Sequence, residues 1–371
     1  MFFLRHWRRI VCLLLTPVAA FLLWHAWVYT PPQTVQPLPE RANVVDIHCH
    51  IACLDEQLGC YVAPELRQNI RFPIYLQLMH TSEQALQQQG SDMVADAISH
   101  ELAQSQHVAK AVLLALDGVV RQGKISKAAS QIIVPNDFVA AQAQRHENLL
   151  FGASINPYRA DALAALQRVH DQGAVLIKWI PSIMAIDPSD PALTPFYRRM
   201  VAFGLPLLTH TGDEHAFSHA DNRLADPARL ALPLRLGVTV IAAHVASTGK
   251  HGDEPFFDRL LAMFPRYPNL YADISSLTQI NKRHYMEAVL QHPEIHDHLL
   301  YGTDWPLPFF PLVSPFYFHQ HLTLAELAQL SAMDNTWDRD IRLKQALGMP
   351  QHVFSRTAQL LAQATHNHES R

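Results

Sequence analysis

The feature of this sequence that most limits its fold is an alternation of short apolar segments with amphipathic segments of helical length. The alternation begins at Asn43 and continues almost to the end of the chain. Eight apolar segments have the length and β-branched content of buried parallel strands; they are Val44 to His48, Ala111 to Leu116, Leu150 to Ile155, Ala174 to Lys178, Leu205 to His210, Val238 to His244, Leu270 to Ile274 and His298 to Gly302. Strands that alternate with helices indicate βα units around a parallel sheet.

Helical periodicity is clearest from Ala160 to Gln172, where Leu163, Leu166 and Val169 repeat at helical spacing. The same reasoning predicts further helices; they are Asp92 to Gln104, Pro191 to Phe203, Asp226 to Leu236, Glu254 to Pro265, Asn281 to Gln291, Trp337 to Leu347 and His352 to Gln363. Eight strands interleaved with helices predict an α/β fold, a (β/α)8 TIM barrel over residues 43–371. A doubly wound open sheet is the alternative, but no glycine-rich turn follows the first strand.

The N-terminal segment, residues 1–30, has a different composition. Arg5, Arg8 and Arg9 precede an apolar run over residues 10–29, long enough as a helix to cross a bilayer. We expect an uncleaved transmembrane signal anchor; a cleaved signal peptide is the alternative. By the positive-inside rule the N-terminus would be cytoplasmic, with the catalytic domain anchored on the non-cytoplasmic, periplasmic side. Four prolines predict an extended linker over residues 31–42.

Composition and cysteine placement limit the remaining possibilities. The chain has 371 residues and a formal net charge of −4, and no basic stripe indicates a nucleic-acid partner. Cys49 alternates with two histidines on the first strand, so we expect it to be a core residue. Cys53 and Cys60 lie in the loop that follows, where a disulfide and two free thiols are both open.

Polar residues stand at the ends of five predicted strands. His48 and His50 are two positions apart on the first strand and so point to one face. Four other strands supply one polar residue each; they are Lys178, His210, His244 and Asp304. All C-terminal strand ends of a parallel barrel face the same mouth, so these residues would meet there. Nitrogen and oxygen donors together favour zinc or a similar divalent ion.

Two insertions follow strand ends and would therefore lie at the same mouth. The first, Ile51 to Ala109, follows the first strand, and the second, Trp305 to His321, is dense in aromatic residues and prolines. We interpret both as substrate lids.

The chain resembles the amidohydrolase superfamily, in particular the amidohydrolase-related branch that contains aminocarboxymuconate-semialdehyde decarboxylase. The motifs that carry the resemblance are Asp46-Ile47-His48-Cys49-His50 and Tyr301-Gly302-Thr303-Asp304-Trp305-Pro306, with His210 and His244 between them. The resemblance implies that the metal ligands are His48, His50, His210 and Asp304. His244 would be an acid/base or a further ligand, and Lys178 would either bridge two metal ions or bind substrate. A single Zn²⁺ is favoured, with Mn²⁺ or a two-metal site as alternatives. An asparagine often found in the family's last helix is not evident near 354–361.

This resemblance implies a metal-dependent hydrolase that acts on an ester, lactone or amide of a small, carboxylated substrate. Asp304 would accept the proton of the attacking water, and His244 would polarise the carbonyl. The residues that could select the substrate are Asp213, Glu214, His215 and Arg159. A metal-dependent decarboxylase or hydratase is the close alternative, and a non-catalytic membrane-tethered binding barrel is a third. The oligomeric state is open.

Overall fold

Eight parallel strands form the centre of the molecule. The computed structural model describes the backbone of residues 19–369 and the side chains as far as residue 362. The strands follow one another around the sheet in sequence order; they are β1 Val45–His50, β2 Lys110–Leu114, β3 Leu149–Ala153, β4 Leu176–Trp179, β5 Leu207–His210, β6 Val240–Ala243, β7 Leu270–Asp273 and β8 Leu299–Leu300. Every one overlaps a predicted strand, so the predicted α/β barrel is confirmed.

The sheet closes where the segment after β8 meets β1. Ile47 N donates to Tyr301 O at 3.2 Å, and Asp304 N donates to His48 O at 2.9 Å. His50 N donates to Trp305 O at 3.0 Å. These bonds bring the strand ends that carry the predicted ligands directly beside each other, in a nearly closed TIM barrel.

The helices surround this barrel. In chain order they are α1 Pro64–Arg67, α2 Arg71–Leu78, α3 Glu83–Gln89, α4 Asp92–Gln104, α5 Asn136–Arg145, α6 Ala162–Asp171, α7 Pro181–Met184, α8 Thr194–Ala202, α9 Ala231–Arg235, α10 Phe256–Leu261, α11 Arg283–Gln291, α12 Leu324–Ser331, α13 Thr336–Ala346 and α14 Gln351–Glu369. In α6 the buried face is formed by Ala162, Ala165, Leu166 and Val169. Leu163, which we placed in the apolar stripe, is 40% exposed. The predicted helix is confirmed, but the small alanines and not Leu163 face the barrel.

The interior of the barrel is an apolar layer beneath the polar strand ends. It is formed by side chains from six strands and from α14; they are Val45, Ile47, Val112, Leu114, Leu176, Leu208, Ile241, Ala243, Leu300, Leu360 and Leu361. Leu176 and Leu208 point inward, and so do Lys178 and His210 two residues further along the same strands. The apolar layer therefore continues directly into the candidate site.

The N-terminal segment departs from the prediction. Within residues 19–369, no helix is long and apolar enough to cross a membrane. The described part of the predicted span is a helix over residues 19–28, and residues 10–18 lie outside the described part of the chain. His25 on this helix is buried, and its Nε2 lies 3.0 Å from Leu322 O. Trp24 stacks on His319 with ring centroids 4.8 Å apart.

These contacts explain why hydropathy misled the prediction. An apolar helix that packs against a barrel and one that enters a bilayer have similar local sequences, and only the tertiary partners distinguish them. The finding contradicts the predicted transmembrane anchor and the periplasmic placement of the catalytic domain, and we withdraw both. The predicted linker runs along the domain, where Gln345 Nε2 donates to Gln36 O at 2.7 Å.

The loop after β1 contains the two cysteines whose pairing the sequence left open. Cys53 and Cys60 form a disulfide with their Cα atoms 5.7 Å apart. Cys49 is a free thiol with no exposed surface, which confirms that it is a core residue. The disulfide lies at the start of the first insertion, which also contains α1 to α4. The insertion contacts the loop after β5, where Arg71 Nη1 donates to His215 O at 2.8 Å.

Candidate active site

A bulge in β1 turns His48 into the barrel. Val45 and Ile47 belong to the interior layer, so simple alternation would point His48 outward. The pairing register of β1 against β2 shifts between Asp46 and Cys49. Such a shift re-aims the side chains beyond it. Both His48 and His50 consequently reach the mouth, with ring centroids 5.1 Å apart.

Asp273 at the end of β7 fixes the orientation of His48. Its Oδ2 lies 2.9 Å from His48 Nδ1. Its Oδ1 accepts from His244 N at 2.9 Å and from Ser275 N at 3.1 Å, and also from the Ser275 hydroxyl. Although burial opposes it, interactions with His48 and Ser275 keep the pKa of Asp273 below the ordinary carboxyl value. An ionised Asp273 can only accept, so His48 Nδ1 carries the proton and its Nε2 lone pair faces the pocket.

The charge state of His48 suits this arrangement. Burial, followed by the positive charge of Lys178, lowers the pKa of His48 to about 4. The imidazole is therefore neutral near pH 7. Lys178 Nζ lies 2.8 Å from His48 Nε2, on the side where the lone pair points. Burial lowers the pKa of Lys178 to about 8.

Asp304 lies between the two histidines of β1. Its Oδ1 is 3.4 Å from His48 Nε2 and 3.2 Å from His50 Nε2. Its Oδ2 accepts from the Ser276 hydroxyl and lies 4.0 Å from His244 Nε2. Although burial opposes it, the neighbouring His244 and His48 hold the pKa of Asp304 well below its usual range. The carboxylate is therefore ionised and available as a ligand or a proton acceptor.

His244 is held by the same serine that contacts Asp273. Its Nδ1 lies 2.8 Å from Ser275 Oγ and 3.3 Å from Ser275 O. Since the Ser275 hydroxyl proton goes to Asp273, His244 Nδ1 must donate, and the Nε2 lone pair points into the pocket. Burial lowers the pKa of His244 well below its ordinary value. In this state His244 is able to accept a proton or to bind a metal ion, whereas polarising a carbonyl, the role expected from the sequence, would require a proton on Nε2.

Several site residues occupy left-handed backbone conformations. The φ angle is +63° at Asp304, +62° at Ser276 and +59° at His244. Val245 follows at +47°, although it is β-branched. Such conformations are costly for non-glycine residues and concentrate at functional sites, where the surrounding structure holds them in place. Here they turn the chain sharply as it leaves β6, β7 and β8.

His210 completes the ring cluster but stands apart from the tightest donors. Its ring centroid is 5.2 Å from that of His244, and its Nδ1 is 3.7 Å from Glu214 Oε2. Its Nε2 is buried and has no hydrogen-bond partner. Burial lowers the pKa of His210, which favours the neutral ring, in which one of the two nitrogens carries a lone pair.

The donors fit a divalent cation. Within the described residues, two groups have ligand atoms all within 4.8 Å of one another: His48 with His50 and Asp304, and His48 with His244 and Asp273. Asp273 already accepts from buried donors, so the first group is the better ligand set. Lone pairs of His48 Nε2 and Asp304 Oδ1 face each other, and a bound cation would satisfy both, whereas His210 belongs to neither of the two groups.

The residues that were expected to select the substrate differ in whether they contact the site. Glu214 reaches the site through His210. Arg159 is already paired with Asp161, through two contacts of 2.8 Å, and with Asp117 at 3.2 Å. His215 offers its backbone carbonyl to Arg71. Arg159 therefore already donates from Nε and from both terminal nitrogens to these two aspartates.

A second group of residues holds the strand ends from behind. Asp46 Oδ1 accepts from His48 N at 2.9 Å and from Thr303 N at 3.0 Å. Its Oδ2 accepts from Thr303 Oγ1 and from Trp337 Nε1, the latter at 2.9 Å. Burial raises the pKa of Asp46 to about 6 despite these bonds. Asp46 thus ties β1 to the segment after β8 and to α13.

Sequence reasoning did not single out several residues of this site. Asp273 ends a predicted strand, so the criterion applied to His210 and His244 would have found it. Ser275 and Lys282 lie in the loop after β7, where no periodicity reports which side chains turn inward. Burial lowers the pKa of Lys282, while Asp304, Glu214 and Asp273 oppose the shift.

The chain resembles several solved structures at low sequence identity. No curated protein matches the chain. An uncharacterised TIM-barrel protein from Bordetella bronchiseptica is 18% identical, with a TM-score of 0.52 over 87% of this chain and 99% of its own. A protein provisionally named 2-pyrone-4,6-dicarboxylic acid hydrolase from Pseudomonas putida is 15% identical, with a TM-score of 0.48 over 86% and 97%. The 5-carboxyvanillate decarboxylase of Sphingomonas paucimobilis is 13% identical, with a TM-score of 0.44 over 84% and 98%.

The family comparison covers most of the chain. The amidohydrolase family model matches residues 45–354, from the start of β1 into α14. This range includes the whole barrel and all the donors described above. The chain therefore belongs to the amidohydrolase family of metal-dependent enzymes.

Proposed function

We propose that this protein is a metal-dependent hydrolase that cleaves an ester, lactone or amide bond in a small carboxylated substrate. The observation that carries the proposal is the position of the ionised Asp304 carboxylate. It lies beside His48 and His50 on one oxygen and faces His244 Nε2 at 4.0 Å on the other. We assign His48, His50, His210 and Asp304 as ligands of one divalent ion and propose that this ion is zinc.

The residues of the chain would divide the proton transfers. A divalent ion bound by these donors supplies Lewis-acid chemistry toward water and toward a carbonyl oxygen. Asp304, ionised at neutral pH, accepts a proton as the oxygen of water bonds to the carbonyl carbon. Asp304 then returns that proton to the leaving oxygen or nitrogen as its bond to carbon breaks. His244 offers a second unprotonated nitrogen beside it and serves as an auxiliary base.

Neighbouring residues orient the two proton acceptors, Asp304 and His244. Ser276 donates to Asp304 Oδ2, which directs the lone pairs of Oδ1 toward the pocket. Gln279 Nε2 in turn donates to Ser276 Oγ at 2.8 Å. Ser275 holds the tautomer of His244. The proton acceptors are thus oriented before a substrate enters, which is the condition for efficient general-base catalysis.

The proposal is tested by measuring turnover with the full-length, zinc-loaded protein. Carboxylated esters, lactones and amides form one panel, and unsaturated and aromatic carboxylates, assayed for carbon dioxide release, form the other. We expect hydrolysis in the first panel and a loss of kcat of about 100-fold or more in Asp304→Asn. Asp226→Asn, which changes a buried carboxylate that pairs with Arg259 away from the donors, is the matched control.

Other outcomes discriminate the alternatives. Carbon dioxide release without hydrolysis would replace the proposal with a decarboxylase, and hydration of a double bond would replace it with a hydratase. Binding of small molecules without turnover in either panel would favour a non-catalytic binding barrel.

A further inference from the structure

Lys344 on α13 is a fully buried lysine behind the end of β8. Its Nζ donates to Gly302 O at 2.8 Å and to Asp340 Oδ2 at 2.7 Å, and the side chain has no exposed surface. The ammonium also lies 5.2 Å from the centroid of the Tyr301 ring. A buried charge needs such partners in place of water. Two of these three partners belong to the segment between β8 and Asp304, so the lysine joins α13 to that segment.

Gly302 is the point at which this segment approaches the site most tightly. A Cβ atom on Gly302 would lie 3.1 Å from the Cβ atom of His48 and 3.3 Å from that of Ser275. Both distances are shorter than ordinary contacts between such carbon atoms. Asp304 follows only two residues later. In an interior packed to this density, a shift of the Gly302 backbone is transmitted to the side chains beside it.

Hydrogen bonds to β1 hold the residues on either side of Gly302. Tyr301 O accepts from Ile47 N at 3.2 Å, and Thr303 N donates to Asp46 Oδ1 at 3.0 Å. The carbonyl of Gly302 is held from the other direction, by the ammonium on α13. The segment that leads to Asp304 is thus fixed both by the sheet and by the helix behind it.

The pair of Lys344 and Asp340 is not what stability alone would require at this place. Both residues are at most 2% exposed and lie one turn apart on α13. Removing two charges from water is costly, and replacing a buried ion pair by apolar residues of similar size is often neutral or stabilising. An apolar pair would fill the same space, but it would offer no donor to the Gly302 carbonyl.

We propose that Lys344 is a positioning residue of the metal site, which fixes Asp304 relative to His48 through its hydrogen bond to Gly302. The inference rests on the proposed function, because it takes Asp304 as a metal ligand and proton acceptor. Asp304 Oδ1 lies 3.4 Å from His48 Nε2 and 3.2 Å from His50 Nε2. Ligands of one ion must keep such distances, and a shift of the segment after β8 would change both.

The test compares metal binding with stability in the full-length protein. Lys344→Met/Asp340→Leu replaces the buried pair by apolar residues, and Lys344→Gln/Asp340→Asn replaces it by neutral polar ones; both remove the ammonium. Asp340→Asn alone keeps the lysine and is the matched control. Ile341→Ala, at a fully buried position on the same helix, is the control for a general loss of stability.

Three quantities are measured for each variant. They are the melting temperature of the metal-free protein, the zinc affinity by competition with a chelator, and the absorption spectrum of the cobalt(II)-loaded protein. The visible bands of cobalt(II) depend on the geometry of its ligands, so they report on the site and not on stability. We expect both double variants to bind zinc about tenfold or more weakly and to shift the cobalt bands. The apolar double variant should melt within about 5 °C of the wild type.

The controls should behave differently. Ile341→Ala should melt at a lower temperature than the wild type, because it leaves a cavity, yet keep its zinc affinity within about threefold and its cobalt spectrum unchanged. Asp340→Asn should also keep the cobalt spectrum of the wild type, since the bond from the lysine to Gly302 remains.

Wild-type zinc affinity and cobalt bands in both double variants would overturn the inference. So would equal losses of zinc affinity in the double variants and in Ile341→Ala, because the stability of α13 would then control the site. Hydrolysis is assayed separately, so a protein that binds zinc but does not hydrolyse its substrates contradicts the proposed function and not this inference. Where hydrolysis is found, the double variants should lower kcat with little change in KM.

Discussion

Asp273 Oδ2 lies 2.9 Å from His48 Nδ1, and this one contact decides which nitrogen of His48 faces the pocket. The aspartate comes from β7 and the histidine from β1, so the contact spans the interior of the barrel. A carboxylate behind a ligand histidine fixes its tautomer and increases its basicity. Asp273 therefore serves the site without itself needing to bind the ion.

The first prediction follows from this contact. In Asp273→Asn the side-chain amide can no longer accept from His48, Ser275 and the His244 backbone in the same way, so the tautomer of His48 is no longer fixed. We expect zinc affinity to fall about 10- to 100-fold while the fold is retained. Competition with a chromophoric chelator measures the affinity, and Asp226→Asn is the control. An unchanged zinc affinity in Asp273→Asn would show that the contact does not orient a ligand.

The second prediction concerns the pH dependence of the metal-free protein. The folded-state pKa of His48 is lowered from 6.5 to about 4, first by burial. Between these values the unfolded chain binds more protons than the folded chain, so the free energy of unfolding rises with pH across the window. We expect this group to cost on the order of 1–3 kcal/mol of stability at pH 4 and nothing above pH 6.5.

Urea unfolding of the metal-free protein at several pH values checks this, with His48→Gln as the comparison. The variant should lose part of the rise in stability between pH 4 and pH 6.5. If the free energy of unfolding changed with pH in the same way in both proteins, the pKa of His48 would be the same in the folded and unfolded chains.

The third prediction concerns the hydrogen bond from Trp337 to Asp46, the carboxylate that holds the ends of β1 and β8. Trp337 Nε1 donates to the buried carboxylate of Asp46 at 2.9 Å, whereas Trp179 Nε1 donates to the neutral carbonyl of Ile155 at 2.8 Å. Both indoles are fully buried. Hydrogen bonds to charged groups contribute about 1.5–3 kcal/mol against about 0.5–1.5 kcal/mol for neutral pairs.

We therefore expect Trp337→Phe to destabilise the protein more than Trp179→Phe, measured by urea unfolding at pH 8, where Asp46 is ionised. Because Asp46 also accepts from His48 N, zinc affinity should fall in Trp337→Phe and not in Trp179→Phe. Equal losses of stability would indicate that packing of the indole, and not its bond to Asp46, is what matters.

The barrel was predictable from the sequence because its signals are local. β-branched apolar runs such as Val238 to His244 and amphipathic runs such as Ala160 to Gln172 follow from strand and helix geometry alone. The polar strand ends were predictable for the same reason, since topology gathers them at one mouth. The predicted roles of His48, His50, His210 and Asp304 stay predictions, although their positions suit them.

The features that sequence reasoning missed depend on tertiary contacts. The bulge in β1 changes the side of the strand to which His48 points, and no pattern in the sequence predicts this bulge. The partners of Asp46 are set by packing between distant segments. The N-terminal helix was assigned to a membrane from hydropathy, whereas His25 and Trp24 contact residues 319–322, about three hundred positions away.

The fourth prediction separates a one-metal from a two-metal site. Lys178 lies against His48 Nε2, and burial lowers its pKa to about 8 although Asp273, Asp304 and Glu214 oppose the shift, so a nearby cation would favour its neutral form further. We propose a single ion and expect Lys178→Gln to retain about one zinc per chain with reduced turnover. A bridged pair of ions would give a different result. The wild type would then bind two ions per chain, Lys178→Gln would bind fewer, and the mass of the intact wild-type protein would show a carboxylated lysine.

The most direct test of the account is the metal content of the full-length protein purified without chelator, measured by elemental mass spectrometry. His48→Ala/His50→Ala is compared with His292→Ala/His352→Ala, which removes two histidines that face surface carboxylates. We predict about one zinc or manganese ion per chain in the wild type and the surface variant, and none in the β1 variant. A well-folded protein that binds no divalent metal, even after zinc is added, would contradict the account and leave a barrel without metal-dependent chemistry.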